Sequence, residues 1–201
     1  MTETNPEAAR PQGYLRMLQV EEPLSFYPFD DDRLQETQIR LERRKKSTEN
    51  NSFTSIQKSF VDVLAENRFV CFFIIQGNKN FHSNHTLNLR KRLALNFHDR
   101  ITTLVVFCGD SEGEPLFCQG TGFTSFPFSA TLMSVLNIAQ VPSLVVLDTQ
   151  TGRPIHSDAA LALEWNNPHE VLGAWEQEQS GLTTTQKAVS VVTLQSNCTI
   201  S

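Results

Sequence analysis

The chain has 201 residues with fourteen phenylalanines and a formal net charge of −5. That length suits one domain with extensions, and the aromatic content can fill its core. A mildly acidic balance argues against bulk nucleic-acid binding through a basic surface. The N-terminal MTETNPEAARPQG has no apolar centre of the kind a signal peptide carries. No apolar run approaches the ~20 residues that span a bilayer. The expectation is a soluble protein of the cytoplasm or nucleus with no membrane association.

Residues 1–30 mix Pro, Glu and polar residues with scattered apolar groups at Tyr14, Leu15, Leu18, Phe26, Tyr27 and Phe29. They read as an irregular arm. DDDRLQETQIRLERRKK then begins with three acids and ends in a basic cluster, an order that complements a helix dipole. Leu34, Gln38 and Leu41 share its thin apolar face. The cluster Arg43–Lys46 reads as a solvated helix end, with an import signal or phosphate patch as the sharper alternative. STENNS is a linker. Residues 1–51 thus form an N-terminal arm with a charged helix.

A second unit spans 52–178. SFTSIQKSFVDVLAEN places Phe53, Ile56, Phe60 and Leu64 at helical spacing, with Ser52 as N-cap. RFVCFFII (68–75) is a continuous apolar run, as expected of a strand buried on both faces. SNHTLNLRKRLALNFHDR is helical, with Leu89, Leu93 and Phe97 four apart. ITTLVVFC (101–108) is a second buried strand. A loop-rich stretch follows, then a short helix over SATLMSVLNIA. SLVVLD (143–148) is a third buried strand, TQTG a turn, and RPIH (153–156) a hairpin partner. Asn167 caps a last helix that has Pro168 at its first position and Glu170 at its third. The tail, 179–201, is polar, and only KAVSVVTL suggests an extra strand there. The order predicts an α/β protein: a parallel βαβ unit and an antiparallel hairpin in one mixed sheet, with helices on both faces.

The stretch FPFSATLMSVLNIAQVPSLVVLDTQTGRPI resembles the thioredoxin superfamily, and within it the nucleoredoxin and tryparedoxin branch. The pieces that carry this are Phe126-Pro127-Phe128, Leu136-Asn137-Ile138, Val141-Pro142-Ser143-Leu144 and the Asp148–Gly152 turn. The resemblance covers about residues 53–178 and extends loosely to Trp175. It implies a thioredoxin-like three-layer α/β/α fold. It implies a cis Val141–Pro142 bond whose loop packs against the active-site motif and pairs with bound substrate. It also implies a Trp-Cys-x-x-Cys motif just after the first buried strand. Laid on RFVCFFIIQGNKNFHSN without gaps, that motif falls on Asn78 and on Lys79, Asn80, Phe81 and His82.

The departure is complete, because neither Lys79 nor His82 can form a mixed disulfide. The expectation is a redox-inactive module that binds another protein or a ligand through Lys79, His82, Val141 and Pro142, without a cofactor. The alternative is an oxidoreductase or redox sensor built on Cys108 and Cys118. Those residues otherwise read as a core filler and a loop thiol, and Cys71 as a buried inert thiol. No C-x-x-C pair, phosphate loop or nucleophile elbow is present.

His82 and His85 stand three apart at a helix start and suggest a metal pair, with Asp110 or Glu112 as a further ligand; two solvated histidines are the plainer reading. Lys79 and His82 also suit an anion at that helix start. Phe123, Phe126 and Phe128 read as core in preference to an exposed aromatic patch.

Overall fold

The computed structural model describes residues 22–42, 53–77, 83–156 and 159–188, together with Leu15, Leu18 and Val20. At its centre is β3 (Phe69–Gln76), whose side chains are buried on both faces up to Ile75. β3 pairs in parallel with β4 (Ile101–Cys108), from Phe69↔Ile101 to Gln76↔Cys108. On its other side it pairs antiparallel with β6 (Ser143–Asp148), from Phe69↔Asp148 to Ile74↔Ser143. β7 (Pro154–His156) closes an antiparallel hairpin on β6. These strands match the apolar runs within a residue, because a doubly buried strand leaves a continuous apolar signature.

The register puts like faces together. Phe69, Cys71, Phe73 and Ile75 share one core with Val105, Phe107, Leu144 and Val146. Val70, Phe72 and Ile74 share the other with Leu104, Val106, Val145 and Leu147. The first core is covered by residues of α1 (Asp31–Glu42), α3 (Asn84–Phe97), α4 (Glu114–Cys118), α6 (Ala159–Trp165) and α7 (Pro168–Glu176). The second is covered by α2 (Phe60–Glu66) and α5 (Ala130–Val135). The fold is therefore the α/β/α sandwich with a mixed central sheet that the sequence leads one to expect.

The sheet is wider than the sequence suggests, with seven strands in the order β2-β1-β5-β4-β3-β6-β7. Three of them are short. β1 (Leu24–Phe26) lies within the segment read as an irregular arm. β2 (Ile56–Lys58) lies within the stretch read as helix from Ser52, and β5 (Thr124–Ser125) within the loop-rich stretch. The helix expected from Phe53 begins only at Phe60, where the Ser59 hydroxyl caps the Asp62 N–H at 3.1 Å. Phe53 and Ile56 are exposed, so their helical spacing with Phe60 is coincidental. Residues 56–58 are held extended by antiparallel pairing with β1. Gln57 Nε2 donates to Ser25 Oγ at 3.0 Å, and Lys58 Nζ sits 3.6 Å from the Phe26 ring centroid. The partner strand is thirty residues upstream, so local periodicity carries no sign of it.

The helices that match expectation do so for local reasons. Ser83 caps α3 by accepting the Thr86 N–H at 3.2 Å, and Leu89, Leu93 and Phe97 form the buried stripe. Asn167 caps α7 through the His169 N–H at 2.9 Å, with Pro168 in the first turn. Asp148 accepts the Gln150 and Thr151 N–H groups at 2.8 and 3.0 Å, which builds the turn into β7. α4 and α6 have no counterpart in the sequence reading. Residues 184–188 are helical and take in the first two residues of KAVSVVTL, read as a possible strand; the rest of that stretch, like Arg43–Lys46, lies outside the described residues.

Arg90 is the one basic side chain among the largest fully buried groups. Its Nε donates to Phe117 O at 2.6 Å and its Nη1 to Gln38 Oε1 at 2.8 Å. Its Nη2 donates to Thr37 Oγ1 at 2.8 Å and to Gln119 O at 3.2 Å. Burial lowers its pKa to about 10, so it remains charged at neutral pH. Replacing Arg90 with Met removes the donor from four acceptors. Unfolding free energy should fall by about 3–5 kcal/mol, read from the urea midpoint at constant m-value. A loss below about 1 kcal/mol would show that these bonds hold nothing together.

Candidate functional site

The C-terminal ends of β3 and β4 and the N-terminal end of β6 meet at one edge of the sheet. Gly77 follows β3, and its N–H donates to Cys108 O at 2.9 Å. A Cβ on Gly77 would lie 1.8 Å from Asp110 O, so only glycine lets the chain leave β3 against the turn after β4. Chain direction is then resumed at Ser83, the cap of α3. Lys79, Asn80, Phe81 and His82, the residues at the expected redox position, lie outside the described residues.

The Val141–Pro142 peptide bond is cis. Ser143, the next residue, begins β6 and pairs with Ile74 of β3. The proline loop and the exit of β3 at Gly77 are therefore carried by neighbouring strands at the same edge. Val141 is half-buried against the second core, and its backbone lies beyond the last rung of the β3–β6 ladder.

The cysteines are distributed differently. Cys71, Cys108 and Cys118 are all free thiols. Cys71 is buried mid-strand, and burial raises its pKa. Cys118 ends α4 inside the first core. Burial pushes its thiol far up, the Glu114 carboxyl adds to the rise, and Arg90 opposes both. Cys108 is half-buried against the second core, and burial raises its pKa as well. The two candidate redox thiols thus pack into cores on opposite faces of the sheet, and neither has the lowered pKa of a reactive thiolate.

The other candidates are engaged elsewhere. His85 Nδ1 lies 2.5 Å from Glu164 Oε1 of α6. Asp110 Oδ1 accepts the Glu112 N–H at 2.9 Å, which closes the turn after β4. Among the described residues no group of three His, Cys, Asp or Glu side chains is arranged to hold a metal. Phe123 and Phe126 are core residues, whereas Phe128 is 51 % exposed. Also among the described residues, no helix is long and apolar enough to cross a membrane.

Sequence reading missed Glu114. It opens the short helix α4 within the loop-rich stretch and is half-buried. Burial raises its pKa, and a hydrogen bond with Ser125 partly offsets that. Nothing in GEPLFC marks the acid as special, because its environment is assembled from β1, β5 and the segment before β1.

Solved structures similar to the chain include the following two. One is a thioredoxin from Wuchereria bancrofti, at 17 % identity over 61 % of this chain and 90 % of that one, with a TM-score of 0.46. The other is tryparedoxin II from C. fasciculata, at 13 % identity over 70 % of this chain and 91 % of that one, with a TM-score of 0.43. No family model and no curated protein matches the chain. At such scores the fold rests on the strand order, the parallel βαβ unit and the hairpin described above.

Alkylation of the native protein by iodoacetamide, mapped by mass spectrometry, should modify Cys108 well before Cys71 and Cys118, with all three labelled after denaturation. Equal native rates at Cys108 and Cys118 would contradict the burial described here.

Proposed function

We propose that this protein is a redox-inactive, thioredoxin-like binding module. One chemical observation carries the reading. The connection from β3 to α3, where the resemblance expects Trp-Cys-x-x-Cys, reads Gly77-Asn78-Lys79-Asn80-Phe81-His82-Ser83. Disulfide exchange needs a thiolate to attack and a second thiol to resolve the mixed disulfide, and this connection supplies neither. The burial and opposite placement of Cys108 and Cys118 speak against a substitute pair.

What remains is a recognition surface. The cis-proline loop stands at the edge of β6, where a partner segment in extended form can pair with the backbone of Val141. Lys79 and His82 belong in sequence to the connection between Gly77 and Ser83, and in this reading they supply a cation and hydrogen-bonding groups for the partner. The partner is another protein, bound without a cofactor. The described cysteines, Cys71, Cys108 and Cys118, are free thiols, which suits a reducing compartment, the cytoplasm or nucleus.

With dithiothreitol as reductant, the protein should not speed the reduction of insulin disulfides above background. Turnover comparable to that of an ordinary thioredoxin would overturn the reading. Proteins retained by the wild type should be lost by a Pro142→Ala, His82→Ala double variant that keeps its circular dichroism spectrum; retention of the same set would place the binding surface elsewhere.

A further inference from the structure

A cavity of about 310 Å³ opens beside the sheet edge. It lies between the segment leading into β1, the turn after β4, the start of α4, and β5 with the residues that follow it. Its volume is at the lower end of the range for small-ligand pockets, about 300–1,000 Å³, and suits a single side chain better than a large ligand. Two acids line it, Glu22 and Glu114, and so do the hydroxyl-bearing Ser111 and Ser125. Phe107, Phe126 and Phe128 supply aromatic wall, and Phe128 stays half exposed. No Lys, Arg or His is among the described lining residues, and none of the ion pairs among the described residues includes Glu114.

We propose that this cavity receives the alkylammonium side chain of a lysine from a partner polypeptide. The charge is complementary: among the described residues the half-buried Glu114 carboxylate has no ion-pair partner, and the described lining carries no positive charge. An ammonium group offers three donors without a fixed plane, and Glu114 with the Ser111 and Ser125 hydroxyls offers acceptors from more than one element. A guanidinium would instead call for a carboxylate free at both oxygens, whereas Glu114 already hydrogen-bonds Ser125. The four methylenes of lysine match the apolar wall, and the exposed Phe128 ring can face the cation. This site is separate from the cis-proline loop, and the proposal stands whether or not that loop binds a partner.

The binding has a pH signature. Burial raises the Glu114 carboxyl above the ordinary glutamate range, so falling pH neutralises it earlier than an exposed glutamate. Lysine affinity is therefore lost at a higher pH than an unperturbed carboxylate would give. Tyr27 and Cys118, the titratable groups that feel Glu114, are themselves held neutral by burial. Glu22 is the other ionisable group among the described lining residues.

The test uses the full chain, labelled with ¹⁵N, and three probes: Nα-acetyl-lysine methylamide, its norleucine counterpart and n-butylammonium. The lysine probe should give saturable shifts at Glu114, Ser125 and Phe128, and the norleucine probe should bind at least about tenfold more weakly. Glu114→Gln should weaken the lysine probe by about the same factor while leaving the spectrum otherwise folded. Absence of saturable shifts, equal binding of norleucine, or an unaltered affinity in Glu114→Gln would each overturn the proposal. Butylammonium binding as tightly as the lysine probe would overturn the polypeptide assignment and leave a small amine as the occupant.

Discussion

A guanidinium buried among neutral acceptors ties together the helices on one face of the sheet. Arg90 of α3 reaches Thr37 and Gln38 of α1 and the carbonyls of Phe117 and Gln119 at the end of α4. Its guanidinium carbon lies over the Phe117 ring, 5.6 Å from the centroid. A charge in such a place is tolerable only when its donors are satisfied, and a partly satisfied network is worse than an apolar core. The arrangement therefore fixes three elements at once. α1 is locked to α3 although it comes from the segment that reads as an arm. Gly120 belongs to the same junction: its backbone passes so close that a Cβ would lie 2.6 Å from Leu34 N, and its carbonyl accepts the Asp30 N–H at 3.1 Å.

The consequence reaches the sheet edge. α3 starts at Ser83, so a helix fixed by Arg90 and by the Leu89, Leu93 and Phe97 stripe also fixes one end of the connection that carries Lys79 and His82. The other end is fixed at Gly77 by its close approach to Asp110. The cis-proline loop is set by the Ile74↔Ser143 rung. Three independent constraints thus define the frame of the candidate surface, and none of them requires a thiol.

Sequence legibility followed the range of the forces involved. β3, β4 and β6 could be read because both faces of each are buried, leaving uninterrupted apolar runs. α3 and α7 could be read from a cap and a stripe within their own residues. β1, β2 and β5 could not, since each is two or three residues long and exists only through its neighbour. Ile56 shows how a period can mislead: it fits a helical stripe with Phe60 yet lies exposed in an edge strand. Of the site, the Val141–Pro142 loop was legible through its flanking pattern. Arg90 and Glu114 were not, because an arginine in a helix and a glutamate before a proline look solvated until distant elements close over them. Cys108 and Cys118 are ten residues apart in sequence, but strand alternation and the α4 turn send them to opposite cores.

The proposed function turns on one proposed correspondence: that the connection between Gly77 and Ser83, whose sequence holds lysine and histidine, is the counterpart of a Cys-x-x-Cys segment. Restoring the sulfur tests that correspondence directly. In a Lys79→Cys, His82→Cys variant, the two new thiols should form a reversible disulfide in a glutathione buffer, detected as a loss of two mass units and confirmed by peptide mapping. If they remain unpaired across the whole range of buffer potentials while the fold is intact, the connection does not occupy the redox position and the central claim fails.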